Sequence, residues 1–464
     1  MRNIQCVPPD PKIIYMLFRE YRELKKYEEM TFREYLEQKG YTNPAGNIEG
    51  MDDDSSITRR RIGPRRISIP SRPITGDLPM KVLLIDFDDR PGSLNKEHYE
   101  ELLFSKGVHS TGSLYDYYYE VSLHKVKIQG SVDGWLRMPQ NYSYYVDNKS
   151  GSGSYPKNAQ RMAEDAVKTA ITQGVEFTSE LDILGFGSIT ALFIIHAGRG
   201  AEVMPPNLRG SEIWSHKWVV RNPVNIPSAN IAAITYLTVP HNCRLGVCAH
   251  ELGHLAFQWQ DFYDPNYDQD GQWWDGSGDW DLMASGSYNG NGVTPAHPMG
   301  LHKMQHRWID VVMIEGETPR RTLTLPPYTT ESGKLIRIRG FNYQASQYLI
   351  LENRNRKGFD FTLPGEGLLV WLVDERADMN DPDTPGLLLV QADGYHNLEN
   401  PYDYNQGDAG DPFPGMTNQV NLTDSGNIST SFPNQGRSGV FLSNIQRDPT
   451  TGDIKLDLEI KRPS

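Results

Sequence analysis

The sequence predicts a helical N-terminal segment, then an α/β domain, then an all-β C-terminal domain of sandwich or jelly-roll type. Three observations predict it. Residues 11–40 carry apolar positions at helical spacing in a charged background. Between residues 77 and 312, short wholly apolar runs alternate with helix-forming stretches. From residue 313 onward, short β-like runs are separated by turn signals. A chain of 464 residues is long enough for two or three such parts, each with a buried core.

In chain order, Ile14, Leu17, Phe18 and Tyr21 form the stripe of an amphipathic helix. Residues 41–79 have a linker composition: an acidic MDDDSS, an arginine cluster over 59–66, then Pro- and Ser-containing text. The cluster is expected to be an exposed linker and a tryptic site. KVLLIDF (81–87) and ITALFIIHAG (189–198) read as buried strands, and the aromatic, alternating text of 115–139 also predicts strands. NAQRMAEDAVKTAITQG (158–174) predicts a helix with a glycine stop, and CRLGVCAHELGHLAFQ (243–258) another. Residues 261–298 are rich in Asp, Gly, Asn and Trp and predict loop. KLIRIRG, QYLILEN, GLLVWLVD, GLLLVQADG, GVFLSNI and DIKLDLEI supply the C-terminal strands.

Composition excludes several classes. Lys and Arg total 46 against 59 Asp and Glu, a net charge of −13, which disfavours nucleic-acid binding. No apolar stretch approaches the roughly 20 residues of a membrane span. Cys6, Cys243 and Cys248 are too few for a disulfide scaffold. Cys243 and Cys248 are open to pairing or to remaining free. The N-terminus has no apolar core or cleavage site of a secretory signal.

Residues 250–254 read His-Glu-Leu-Gly-His. On a helix, His250 and His254 lie one turn apart on one face and can chelate a single Zn²⁺. Glu251, beside them, is placed to take a proton from a metal-activated water and pass it to a leaving amine. The apolar or small flanks Gly246, Val247, Ala249, Leu252, Leu255 and Ala256 predict a buried helix, where such polar groups need a common partner. Candidate third ligands downstream are Asp261, Asp264 and Asp268. Met283 falls in an apparent tight turn within GDWDLMASGS (278–287).

These motifs resemble the immune inhibitor A family of metallopeptidases, peptidase family M6, a metzincin-like group. The resemblance covers roughly residues 80–460 and is carried by VLLIDFDD (82–89), STGSLYDYYYEVS (110–122), FIIHAGRGAE (193–202), IWSHKW (213–218), HELGH with DFYD (261–264), GDWDLMASGS, LENRNRKGFD (351–360), LPGEGLLVW (363–371) and QADG (391–394). It implies a zinc endopeptidase whose active-site helix crosses below a twisted sheet, with a prodomain before it. By resemblance, His250 and His254 are zinc ligands and Glu251 is the general base. Asp261 is the third ligand, with one residue inserted in the turn after the helix. This chain has Phe257 where the family has glycine, and Gln260 at the usual ligand spacing. The family is typically secreted, and the implied partners are protein or peptide substrates.

The expected division is 1–76 as a prodomain-like helical segment and linker, 77–312 as the catalytic domain and 313–464 as the β domain. Cys6 is a candidate latency thiol for the open zinc position. The acidic loops 264–281 and 403–413, the latter with Asp403, Asp408 and Asp411, are candidate Ca²⁺ sites, whereas 181–189 keeps only Asp182 of a calcium-like loop. His196, His216 and His241 are expected to be structural. Trp214, Trp218, Trp273 and Trp274 are candidate groove residues. The competing expectations are a catalytically impaired zinc-binding relative acting as a binding or adhesion protein, motivated by Phe257 and Gln260, and a gluzincin with a downstream Glu ligand.

Overall fold

A computed structural model describes residues 7–39, 66–263, 275–377, 386–400, 404–433 and 435–463. The fold is mixed α/β with three sheets, none of them a closed barrel among the described residues. The first sheet holds β1 (Gly76–Asp86), β2 (Val126–Arg137), β3 (Leu192–His196), β4 (His216–Ile226) and β5 (Ile231–Pro240), in the order β2-β1-β3-β5-β4. Residues 82–85 of β1 and 192–195 of β3 are continuous apolar runs, and they are buried between sheet neighbours and the covering layers. Four strands are parallel, and β4 returns antiparallel to β5 at the edge.

Eight further strands follow: β6 (Asp310–Glu315), β7 (Thr318–Leu325), β8 (Lys334–Arg339), β9 (Gln347–Arg354), β10 (Gly367–Asp374), β11 (Leu387–Leu389), β12 (Val440–Arg447) and β13 (Ile454–Ile460). They form one sheet in the order β11-β10-β9-β8-β6 and another in the order β12-β13-β7. Ile338, Leu349, Leu368 and Val370 of the first share one apolar cluster with Leu325, Leu442, Leu456 and Leu458 of the second.

Two local expectations are corrected, and one element is new. Residues 114–121 are helical, not extended. Ser113 and Asp116 close a reciprocal capping box at its start, and Tyr115, Tyr117, Tyr118 and Val121 are buried along it. The N-terminal stripe is real in Ile14, Leu17 and Tyr21, but the helix stops at Glu23; Lys25, at φ 52°, turns the chain before a second short helix at Phe32–Gln38. The β4–β5 hairpin, which no reading of the sequence singled out, closes through a turn ending at Asn230, whose φ is 54°.

The helix Leu245–Leu255 leaves β5 and is buried along its whole length. It lies against β4 and β5 on one side and the tyrosine-rich helix on another, where the Tyr118 hydroxyl donates to the Ala249 carbonyl at 2.6 Å. Gly246 sits so close to the loop beyond Met283 that a Cβ there would lie 1.8 Å from the Ser287 carbonyl oxygen. Gly246→Ala is therefore expected to destabilise the protein by about 1–3 kcal/mol, read as a lower urea midpoint at unchanged slope. An unchanged midpoint would mean that this contact is slack.

Candidate functional site

The buried helix delivers His250 and His254 to one point. Their Nε2 atoms are 3.1 Å apart, and Asp261 Oδ1 lies 3.1 Å from the first and 3.2 Å from the second. All three residues are buried. Each Nδ1 faces a backbone carbonyl, Leu282 O at 2.9 Å for His250 and Trp259 O at 2.8 Å for His254. A carbonyl only accepts, so Nδ1 carries the proton, and in the neutral form of each ring the lone pair is left at Nε2. With both rings neutral, two lone pairs and a carboxylate oxygen converge, a donor set suited to a divalent cation. The carbonyls fix each ring's orientation and tautomer, as partners of metal-ligating histidines do.

Phe257 does not turn the chain. The turn is made one residue later by Gln258, at φ 59°, and Trp259 N donates to Gly253 O at 3.1 Å. Aromatic packing holds this non-glycine turn. Phe257 stacks on Tyr118 and Trp259, and the His302 ring lies between Trp259 and Phe262 at 4.7 Å from each. The extra residue carries Gln260 away from the histidines, so that its Oε1 accepts from Ser68 N at 2.5 Å, and brings Asp261 in. Met283 lies beneath: a Cβ on Gly253 would meet its Sδ at 2.8 Å, and its carbonyl accepts from Phe262 N.

Burial raises the Glu251 carboxyl to about 8, Asp261 adding to the rise and His250 opposing it. Burial also acts on Asp261, yet His254 and His250 hold it down to about 2. Glu251 Oε1 accepts from the amide nitrogen of Val7 at 3.2 Å. That contact comes from the N-terminal segment, which runs through the same site. Val7 O accepts from Trp214 Nε1 at 2.9 Å, Pro8 O from the Tyr288 hydroxyl at 2.7 Å, and Asp10 N donates to Glu202 O at 3.0 Å. Nothing in the sequence signalled Val7 or Tyr288.

The other candidates fall elsewhere. Asp408 and Asp411 come together with Asp393, while Asp403 lies outside the described residues. So do Cys6, Asp264, Asp268, Trp273, Trp274 and most of the arginine cluster. Asp182 accepts from Phe186 N and Gly187 N within its own loop. Cys243 and Cys248 are free thiols. His196 faces Thr238, His216 bridges Trp214 O and the Tyr236 hydroxyl, and His241 accepts from Gly198 N. Trp218 is core, whereas Trp214 reaches the site.

Comparison with known proteins identifies the domain in which these residues lie. The catalytic domain of the immune inhibitor A peptidase M6 family matches residues 90–314, a span that contains His250, Glu251, His254 and Asp261. Immune inhibitor A of Bacillus thuringiensis subsp. alesti is 28% identical over 302 residues, 54% of this chain and 43% of that protein. The pre-pro-metalloprotease PrtV of Vibrio cholerae serotype O1 (strain M66-2) is 27% identical over 354 residues, 61% of this chain and 38% of that protein. The chain thus spans less than half the length of either relative. The expected resemblance to immune inhibitor A, and with it a metallopeptidase domain of the M6 type, is borne out. Among the described residues no helix is long and apolar enough to cross a membrane.

Proposed function

We propose, from the premise that residues 90–314 carry an immune inhibitor A-like M6 metallopeptidase domain, that this chain is a zinc-dependent endopeptidase made in a latent form. The observation that carries the reading is the convergence of His250 Nε2, His254 Nε2 and Asp261 Oδ1 beside Glu251. Zinc held by these three residues supplies a Lewis acid that polarises the scissile carbonyl and a source of hydroxide at neutral pH. In its ionised form, which a cation bound beside it would favour, Glu251 would take a proton from the attacking water and pass it to the leaving nitrogen. Its reach to an amide nitrogen is the 3.2 Å contact with Val7. The Leu282 and Trp259 carbonyls keep the two imidazoles aimed, so the ligands need no rearrangement during turnover. The aromatic walls of Phe257, Trp259 and Trp308 keep bulk water from the ligand side.

Val7 lies against Glu251 and Pro8 and Asp10 are held beside it, so a substrate and this segment exclude one another. The reading therefore makes residues 1–76 a prodomain-like part that must be displaced, with 77–312 as the catalytic domain and 313–464 as a β-rich domain. Protein substrates and export from the cell follow from the same reading.

The test pairs metal content with activity. The full chain, before and after limited trypsin cleavage at the 59–66 cluster, is analysed for zinc by mass spectrometry and assayed on casein with and without chelator. The expected result is bound zinc in both forms, cleavage mainly in the nicked form, and loss with chelator that zinc restores. Zinc without cleavage in either form would favour an impaired, peptide-binding relative. Absence of zinc even after its addition would overturn the metal centre.

A further inference from the structure

The segment in the cleft is itself a bound peptide, and its contacts indicate how the cleft reads one. We propose that Trp214 and Tyr288 hold a peptide substrate by two successive carbonyls, and that the subsite filled by Val7 selects a small aliphatic side chain at the residue whose nitrogen meets Glu251. The proposal rests on the peptidase reading for its substrate class, not for the contacts themselves.

All four contacts use only the main chain of the segment, and three of them meet side chains of the site. Val7 N meets Glu251 Oε1 at 3.2 Å, Val7 O meets Trp214 Nε1 at 2.9 Å, and Pro8 O meets the Tyr288 hydroxyl at 2.7 Å. Any extended peptide presents an N–H and two carbonyls in this order, so the contacts fix register without reading sequence. The two donors come from separate parts of the chain: Trp214 lies two residues before edge strand β4, and Tyr288 lies in the segment beyond Met283. Both side chains are rigid rings buried in the catalytic core cluster, so little side-chain entropy is lost when they engage a peptide.

The register places an amide nitrogen against the carboxylate that would protonate a leaving nitrogen. Val7 therefore stands as the first residue on the leaving side. Its side chain is 1% exposed and belongs to the same apolar cluster as Trp214 and Leu245. A charged side chain there would be stripped of water with no partner supplied. Pro8 and Pro9 bring no N–H to bury and pre-set an extended backbone, which lowers the cost of seating the segment.

The probe is a fluorescein-labelled peptide of residues 3–12 with Cys6→Ser, titrated against the zinc-loaded full chain carrying Val7→Asp, which vacates the subsite. The expected result is saturable binding that Trp214→Phe or Tyr288→Phe each weakens about three- to tenfold. Peptides with isoleucine at the valine position should bind, and those with aspartate should not. Equal affinity for all peptides, no binding at all, or indifference to both ring substitutions would overturn the proposal. Should Val7→Asp fail to fold, hydrogen exchange on the otherwise unaltered chain replaces it. Tyr288→Phe and Trp214→Phe should then speed exchange at the Val7 amide but not in β3, and unchanged Val7 exchange would overturn the proposal. Binding in the expected pattern without casein cleavage would sink the peptidase reading and leave peptide recognition standing.

Discussion

Replacing Glu251 by glutamine is expected to lower casein cleavage by the nicked chain by on the order of 10²–10⁴ while bound zinc stays unchanged. Glutamine keeps the volume of this buried side chain, and its Oε1 still accepts from Val7 N, so neither helix nor segment should move. What it loses is the capacity to hold a proton between water and leaving nitrogen. The measurement is kcat/KM on casein beside zinc quantified in the same preparation. Cleavage retained within about tenfold would remove Glu251 from the chemistry. Loss of zinc together with activity would give it a structural role instead.

The second large effect lies away from the centre. Arg354 is wholly buried on β9, donating to both oxygens of Asp360 at 3.0 and 2.8 Å, to Glu352 at 3.2 Å and to Trp280 O at 2.7 Å. Asp360 also accepts from His297 N, and Glu352 from Gly300 N, so the guanidinium joins the C-terminal sheet to the loop that carries Met283. Arg354→Met leaves two buried carboxylates without their cation. The expected cost is about 3–5 kcal/mol, seen as a lower urea midpoint. Arg354→Lys should recover little, since an ammonium cannot span both Asp360 oxygens and reach Trp280. A loss under about 1 kcal/mol would show that neighbouring groups, Lys303 among them, take over the charge.

The pair His250 and His254 of the candidate metal site was the most legible feature because it is local. Two histidines four apart on a helix need no tertiary information to share a face. Asp261 was harder, since its position depends on how the chain turns after His254. The sequence shows the missing glycine at Phe257 but not that Gln258 adopts the left-handed turn. That outcome depends on His302, whose ring is stacked from more than forty residues away.

The tyrosine run at 115–119 misled because tyrosine favours strands, although Ser113 and Asp116 already marked a helix start. The β4–β5 hairpin was missed because Pro223 and Pro227 break up its apolar pattern. Arg354 looked like one more charge in LENRNRKG, and only the fold supplies its partners. The seat of Val7 had no sequence signal at all: it is recognised through carbonyls, which every residue possesses.

The attachment of residues 7–10 to the chain they occupy has one more consequence. A ligand tethered to its own receptor acts at an effective concentration of about millimolar, however dilute the protein. A free inhibitor at micromolar concentration is outnumbered roughly a thousandfold, so screens on the intact chain would pass over compounds that fit the cleft well. One cut between Gln38 and Gly76 changes the reaction order. Once released, the segment rebinds only as a second molecule, and its occupancy falls with every dilution. A nicked protein would stay quiet where it is crowded and become active as it disperses.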